Sequence, residues 1–456
     1  MRRATAPSPG RATIRAVTHS SGGPASPTPA PGAAPQLKRA LGLGAAIVIG
    51  LSSMIGAGVF SAFGPAAQAA GPALLVGLAL AFVVAGANAT STAQLAAQYP
   101  ASGGTYVYGR ERLGAWWGFT AGWGFVAGKS ASAAAMALTF AAYAAPEAWL
   151  KPVALAALVA LIALNSVGVT RTAAAARILV ALVLAGLATV LVTAWMLEGA
   201  SAPTGAQSFA AGLGEALGTP QGWYGVLQSA GLLFFAFAGY ARIATLGEEV
   251  REPARTIPRA IITTLLAVAA LYLVVAITLL VRLGAVGTAA STAPLADAVA
   301  EAPWAMVVVQ VTAALAALGA LLAGIAGVTR TALAMAREGD LPRPLAAVHP
   351  RFAVPHVATW ALGAVVAVMI VVGDVREVIG FSSAGVLTYY FVANLAASTQ
   401  TGEHRRYPRW WQFVGMGLCA VLVVTLPWQS VLGALAVYAV GFAGRMLVVR
   451  RRAARG

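Results

Sequence analysis

The chain has 456 residues, of which 59% are hydrophobic and only 10% are charged, and its mean hydropathy is +0.79. A soluble domain of this length needs a charged surface, so the composition excludes an ordinary soluble protein and indicates a membrane protein. The net charge of +16 raises the question of a nucleic-acid partner.

Twelve apolar stretches approach the roughly 20 residues that a membrane-spanning helix requires. They are predicted over residues 41–63, 72–98, 115–143, 151–168, 175–196, 223–247, 258–283, 303–330, 356–373, 377–399, 409–426 and 429–446. The last two are divided at Pro427, because proline cannot continue the hydrogen-bond ladder of a helix. Without that division the count would be eleven.

The residues before the first span, 1–37, are rich in Pro, Ala, Ser and Gly and contain scattered arginines. They lack the apolar content to form a core, so they predict a disordered basic tail. A signal peptide is not expected, because the first apolar run begins only near Leu41 and many others follow it.

The basic residues alternate between the loops of the predicted spans. If the N-terminus is cytoplasmic, 25 of the 30 basic residues lie on the cytoplasmic side and only Lys151, Arg282 and Arg376 lie outside. This bias follows the positive-inside rule and predicts a multi-pass protein of the cell membrane with both termini in the cytoplasm. It also explains the net charge without a nucleic-acid partner.

Two spans contain residues that loosen a helix. The first span carries Met54–Phe60, "MIGAGVF", and the sixth carries Phe235–Gly239, "FAFAG". Irregular backbone at membrane depth survives only where it lines a cavity, and loosened segments in the first helix of two five-helix halves are typical of inverted-repeat transporters. Opened amides can bind a carboxylate and opened carbonyls an ammonium group, so the pair favours a zwitterionic amino acid.

Four motifs together resemble the amino acid, polyamine and organocation (APC) superfamily of permeases. They are "MIGAGVF" (54–60), "YPASGGTYVY" (99–108), "FFAFAGYARIATLGEEVREPARTIPRAI" (234–261) and "TRTALAMAREGDLPRPLAAVHPRFAVPH" (329–356). The resemblance implies an all-α polytopic membrane protein of about 12 transmembrane helices. A LeuT-type 5+5 inverted repeat would occupy 38–400, two further helices 401–446, and a basic cytoplasmic tail 447–456.

The same resemblance implies secondary active transport of amino acids by alternating access, with no cofactor. The amides that would bind the substrate carboxylate are those of Gly56, Ala57 and Gly58. The carbonyls that would bind the amino group are those of Met54, Phe235, Ala236 and Ala238, with Gly239 completing the second loosened segment. Phe235 would also close over the site as a gate; the alternative is an aromatic packed in lipid.

Lys129 lies fourteen residues from either end of the predicted third span. That is roughly 21 Å along a helix, too far for its side chain to reach water. A charge at the bilayer centre costs about 2.5–3.5 kcal/mol even on the lenient insertion scale, so Lys129 is predicted to face a polar cavity and to take part in coupling. It could be a permanent cation that favours exchange, or a lysine that takes up and releases a proton.

Sodium coupling is not expected. Many relatives keep a lysine on the fifth span, at a position that falls near Val183 here, and the eighth span lacks any hydroxyl from Ala316 to Val328, where a sodium site needs Ser or Thr oxygens. No Asp or Glu lies in the interior of a span, which favours neutral or acidic amino acids over cationic ones. Arg242 could reach cytoplasmic water or Glu248 and Glu249, or could form part of an inner gate.

An enzyme is not expected, because the four histidines lie in the tail or in loops, Cys419 is the only cysteine, and no HExxH motif is present. A channel or an amino-acid-sensing receptor with the same fold is the remaining alternative, since a fold alone does not define a function. The lipid bilayer and a small amino acid are the expected partners, with protons as a candidate coupling ion. The sequence does not predict the oligomeric state.

Overall fold

A computed structural model describes residues 41–100, 103–167, 173–197, 206–247 and 249–453. All of them belong to one compact unit. The predicted tail 1–37, the end of the tail 447–456 and Glu248 lie outside the described residues.

The described chain consists of α-helices joined by turns, loops and short 3₁₀ helices. The helices are α1 (Leu43–Met54), α2 (Ala57–Ser61), α3 (Phe63–Ala70), α4 (Leu74–Gln98), α5 (Thr105–Leu113), α6 (Ala115–Ala144), α7 (Leu150–Ser166), α8 (Ala173–Met196), α9 (Ala206–Gly218), α10 (Pro220–Phe237), α11 (Ala241–Ala244), α12 (Pro253–Ala290), α13 (Pro294–Asp297), α14 (Pro303–Arg337), α15 (His356–Val372), α16 (Val375–Ser398), α17 (Arg409–Thr425) and α18 (Trp428–Ala453).

Twelve apolar helical segments follow the predicted order of spans. Ten are long and apolar enough to cross a membrane, and the two others, α15 and α17, have 17 residues each, which is the lower end of the length a crossing requires. The predicted division before the last span is confirmed, because α17 ends at Thr425 and α18 begins at Trp428.

Several spans extend further than predicted, among them the first, the seventh and the eighth, which runs to Arg337. In the first, α2 continues through Ala62 into α3, since the amide of Ala62 donates to the carbonyl of Gly58 and the amide of Ala66 donates to that of Ala62. This rod ends at Gly71, whose φ of +53° is accessible to glycine. The seventh span, α12, runs to Ala290, with a kink at Gly284 (φ +68°).

The interior of the bundle is formed by the third, sixth and tenth spans. Among the 18 most apolar consecutive residues of each span, 83% are buried in the sixth span, 78% in the tenth and 67% in the third. The corresponding share is 17% in the fourth and the twelfth. The third span, α6, packs against α14 and α16, while α4 packs against α10 and α12. Polar groups on the third and sixth spans therefore lie inside the protein, away from lipid.

Charged groups tie α5 and α18 to the loop after α14 at one end of the bundle. Asp340, which follows α14, accepts hydrogen bonds from Tyr106 Oη (2.9 Å), Arg110 Nη1 (3.1 Å) and Arg445 Nη1. We call these four residues the Asp340 cluster. Burial and the Asp340 carboxylate raise the pKa of Tyr106, so its hydroxyl stays protonated and can donate.

Candidate functional site

The first span leaves the helical conformation between Met54 and Ala57. Helix α1 ends at Met54, and Ile55 (ψ 67°) and Gly56 (φ −117°, ψ −140°) separate it from α2. All the residues from Met54 to Gly58 are buried. The first amides of the rod that begins at Ala57 have no acceptor within their own helix, and no side chain caps them. We call residues 55–56 the first break.

The sixth span changes its winding at the end of the predicted segment Phe235–Gly239, of which only Ala238 and Gly239 leave the α-helix. Helix α10 ends at Phe237, and a 3₁₀ turn, Ala238–Tyr240, connects it to α11. The amide of Ala238 still donates to the carbonyls of Phe234 and Phe235. This second break, residues 238–240, is therefore a tightened turn, and it is less open than the unwound segment that the sequence suggested.

The chain segments at and beside the two breaks lie against each other in the interior. A Cβ atom on Gly239 would come within 2.2 Å of the carbonyl oxygen of Ser53, and one on Gly58 would come within 2.6 Å of Ala236 Cα. Real Cβ atoms do not approach other atoms so closely, so glycine is required at both positions for the two main chains to touch. The close approach also explains the tight second break, since a wider loop would collide with the first span.

Lys129 connects the third span to the second break. It lies near the middle of α6, and its Nζ donates to the carbonyl oxygen of Ala238 at 3.2 Å. Its neighbours Gly128 and Ser130 are buried, yet the Lys129 side chain remains partly accessible. The predicted coupling residue therefore points towards the predicted substrate-binding backbone and not towards lipid.

A tyrosine that the sequence analysis did not single out contacts both breaks. Tyr272, in the middle of α12, lies with its hydroxyl oxygen 2.6 Å from the carbonyl oxygen of Met54 and 3.1 Å from that of Ala236. A sequence signal exists for this residue, because tyrosine is enriched at membrane interfaces and one at mid-span is unusual.

Protein donors already engage all four carbonyls predicted to bind an ammonium group. The Tyr272 hydroxyl engages those of Met54 and Ala236, Lys129 engages that of Ala238, and the amide of Ala238 engages that of Phe235. A carbonyl oxygen has two lone pairs, so each can accept a second hydrogen bond. A substrate would have to use those remaining lone pairs or displace Lys129.

The two predicted gate residues differ in their surroundings. Phe235 is 7% exposed and so packs inside the protein, which excludes the alternative of a lipid-facing ring. Arg242 Nη1 donates to Thr245 Oγ1 at 3.0 Å, within the same turn of chain. One of its two predicted acidic partners, Glu248, lies outside the described residues. The gate roles of Phe235 and Arg242 stay predictions.

A small cavity lies where the first, fifth and eighth spans meet. Its lining is almost entirely apolar and consists of Ser52, Ile55, Leu179, Val180, Val183 and Ala316. Within the described residues, no group of three His, Cys, Asp or Glu residues could hold a metal ion here or elsewhere.

Comparison with known proteins identifies the family. Residues 45–401 match the family model of amino acid permeases. An uncharacterized transporter of Mycobacterium tuberculosis is 52% identical over 421 residues, which cover 91% of this chain and 93% of that protein. A branched-chain amino acid permease of Bacillus subtilis is 26% identical over 434 residues, which cover 87% of this chain and 90% of that protein.

The crystal structure of MhsT in complex with L-phenylalanine superimposes with a TM-score of 0.60 and 14% sequence identity, covering 89% of this chain and 99% of that one. This likeness confirms the expected LeuT-type fold. The family model spans most of the chain and describes membrane transporters, not enzymes. The chain therefore belongs to the amino acid permease family, the family that its four motifs predicted.

Proposed function

We propose that the chain carries amino acids across the cell membrane by alternating access, and that it grips the substrate mainly through its own backbone. The amides of Gly56, Ala57 and Gly58 would bind the α-carboxylate. The carbonyls of Met54, Phe235, Ala236 and Ala238 would bind the α-ammonium group. The observation that carries this proposal is the close contact of the chain at the two breaks, Gly58 with Ala236 and Gly239 with Ser53, in the interior of the bundle.

Backbone chemistry supports the assignment of the two ends of the substrate. The rod from Ala57 to Ala70 begins with amides that lack intrahelical partners, and its dipole is positive at that end, so the end attracts a carboxylate. Met54 is the last residue of α1, and the carbonyl end of a helix attracts a cation. The two helix ends therefore offer opposite partial charges to a zwitterion.

The charges within the spans favour a neutral or acidic side chain. Lys129 contacts the second break directly, and no Asp or Glu lies in the interior of a span to pair with a cationic substrate. A lysine or arginine substrate would bring a second positive charge near Lys129 without a carboxylate to offset it, which is costly at low dielectric.

Coupling without sodium is the second part of the proposal. The cavity beside Val183 contains Ser52 as its only hydroxyl residue, whereas Na⁺ would need several oxygen ligands. We assign the role of the coupling cation to Lys129, whose ammonium group donates to the carbonyl of Ala238 in the sixth span. Two modes are distinguishable: a lysine that titrates gives uptake driven by a proton gradient, and a permanent ammonium group gives exchange that ignores the gradient.

The test is counterflow into liposomes that contain the purified full-length chain. A panel of the twenty amino acids, with and without a proton gradient and with and without Na⁺, should reveal saturable counterflow of at least one neutral or acidic amino acid. Flux that does not saturate would indicate a channel, and binding without flux would indicate a receptor.

Replacement of Lys129 sharpens this test. Lys129→Met should lower the initial rate about tenfold or more, as expected for the loss of one hydrogen bond to a charged group, worth about 1.5–3 kcal/mol. The matched control is Lys151→Met, because Lys151 is exposed and donates to the carbonyl of Val371 at the end of a neighbouring span. Equal rates in the two variants would contradict the role of Lys129.

A further inference from the structure

We propose that Tyr272 is a positioning residue whose hydroxyl joins the two breaks and holds the carbonyls of Met54 and Ala236 at a spacing that one ammonium group can bridge. This inference rests on the proposed function. Its structural basis is one fully buried side chain, on a span that is itself unbroken at this point, within hydrogen-bond distance of a carbonyl beside each break.

The tyrosine ring is held by the same two spans that its hydroxyl contacts. Phe63, the first residue of α3 in the first span, meets the ring edge-on at a centroid distance of 6.1 Å. Phe237, the last residue before the second break, does so at 5.1 Å. Each broken span thus contacts Tyr272 twice, once through a carbonyl and once through an aromatic ring, and this packing fixes the direction of the hydroxyl.

The carbonyl of Met54 needs such a donor. It lies at the end of α1, where the last carbonyls of a helix have no partner within the helix, and Met54 is only 2% exposed. A buried carbonyl without a donor is unfavourable, so the hydroxyl stabilises the first break when no substrate is bound. The same single proton is shared with Ala236, which ties the second break to the first.

The arrangement leaves room for the substrate. A hydroxyl uses one lone pair of each carbonyl oxygen, and the second lone pair can accept from an ammonium group, which has three donors. Tyr272 therefore does not have to leave when an amino acid binds. Its contribution is to keep two acceptors, from spans that are distant in sequence, at a fixed separation before binding, so that the substrate does not have to order them.

The experiment compares Tyr272→Phe with Tyr143→Phe. Phenylalanine keeps each ring and removes only the hydroxyl. Tyr143 is the matched control, because it is similarly buried and its hydroxyl donates to the carbonyl of Phe60 at 2.9 Å, so of the two broken spans its hydroxyl bonds only to the first, away from the break. Any general cost of losing a buried tyrosine hydroxyl is therefore shared by both variants.

The first measurement is independent of transport. Hydrogen–deuterium exchange of the purified proteins should be about tenfold faster in Tyr272→Phe, in both the peptide that contains residues 54–58 and the peptide that contains 236–240, as expected for one lost hydrogen bond. In Tyr143→Phe, neither peptide should reach that increase. If exchange becomes faster at neither break, or at only one of them, Tyr272 does not join the two breaks.

The second measurement is saturable counterflow. In Tyr272→Phe the KM should rise about tenfold, which corresponds to about 1.4 kcal/mol, while the maximal rate stays within about twofold of the parent protein. The Tyr143→Phe variant should keep its KM. An unchanged KM in Tyr272→Phe overturns the positioning role even if exchange changes. Absence of counterflow in the parent protein would reject the proposed function, and exchange would still decide the bridge.

Discussion

The lack of a Cβ atom at Gly58 and Gly239 determines how closely the first and sixth spans approach each other. At Gly239 the atom that a side chain would meet is the backbone oxygen of Ser53, and at Gly58 it is the backbone of Ala236. Backbone cannot rotate away as the end of a flexible side chain can. The contact between the two breaks therefore tolerates no Cβ at either position without displacing a span.

The substitution Gly239→Ala tests this contact. We expect it to destabilise the protein by about 1–3 kcal/mol, the usual cost of overpacking a well-packed core, and to abolish counterflow. The control is Gly86→Ala in α4, since a Cβ there would meet nothing within 4 Å. Thermal unfolding in detergent should show a lower Tm for Gly239→Ala only, and equal Tm values would contradict the contact.

The sequence predicted these residues better than their conformation. Glycine and alanine at 56–58 and 238–239 identified the positions of both breaks, because small residues in a span are visible without a structure. It did not reveal that the second break is a 3₁₀ turn, since that depends on the distance to Ser53, a residue 186 positions away. The mid-span position of Tyr272 is visible in the sequence, but its role was missed for the same reason: its acceptors are main-chain oxygens, which no sequence pattern displays.

At the scale of elements, the last helix holds the core at the end that carries the Asp340 cluster. Arg445, on α18, pairs with Asp340 beyond α14, and its guanidinium also lies over the rings of Trp116 and Phe119, at 4.8 Å and 4.7 Å from their centroids. The side chains of Arg445 and Asp340 are each only 7% exposed. The last helix is thus joined to the end of the eighth span by a buried ion pair and to the third span by cation–π contacts.

Removal of the shared carboxylate should weaken this junction strongly. Asp340→Asn leaves Arg110 and Arg445 without their common counter-ion, and breaking a buried pair from one side costs about 3–5 kcal/mol. We expect a clearly lower Tm in detergent. The control is Glu338→Gln, because Glu338 also pairs with Arg110 but its side chain is 53% exposed, so its loss should cost about 0–1 kcal/mol. If the two variants unfold at the same temperature, the cluster does not stabilise the bundle.

Element boundaries were predictable only where the sequence contains a strong break. The division at Pro427 was predicted because proline ends a helix, and the structure agrees. The extension of the first span to Ala70 was not predicted, since Ala62 and Phe63 are compatible with either a helix or a turn. Packing of α3 against α10 and α12 favours the helix there, and such tertiary contacts are not local in sequence.

At the scale of the whole molecule, the distribution of arginine predicts which loops face the cytoplasm. We expect Thr401, in a loop next to Arg405 and Arg406, to face inside, and Thr292, in the loop after α12, to face outside. Both threonines are exposed. Single cysteines introduced at these positions should react with a membrane-impermeant thiol reagent in intact cells only at 292. The native Cys419 is buried and serves as the unlabelled background.

The opposite labelling pattern would reverse the orientation of the whole chain and would contradict the positive-inside argument. The fold and the family were nonetheless predictable from sequence, because hydropathy gives the number of spans and the motifs at 54–60 and 329–356 resemble those of the permease superfamily. The chemistry of the site was predictable only in part, because its ligands are main-chain atoms brought together by packing.

The most direct test of the central claim is an experimental structure of the chain with a transported amino acid bound. We predict that the α-carboxylate lies within hydrogen-bond distance of the amides of Gly56–Gly58, and that the α-ammonium group lies beside the carbonyls of Met54 and Ala236. An amino acid held chiefly by side chains, or bound away from the two breaks, would contradict the account.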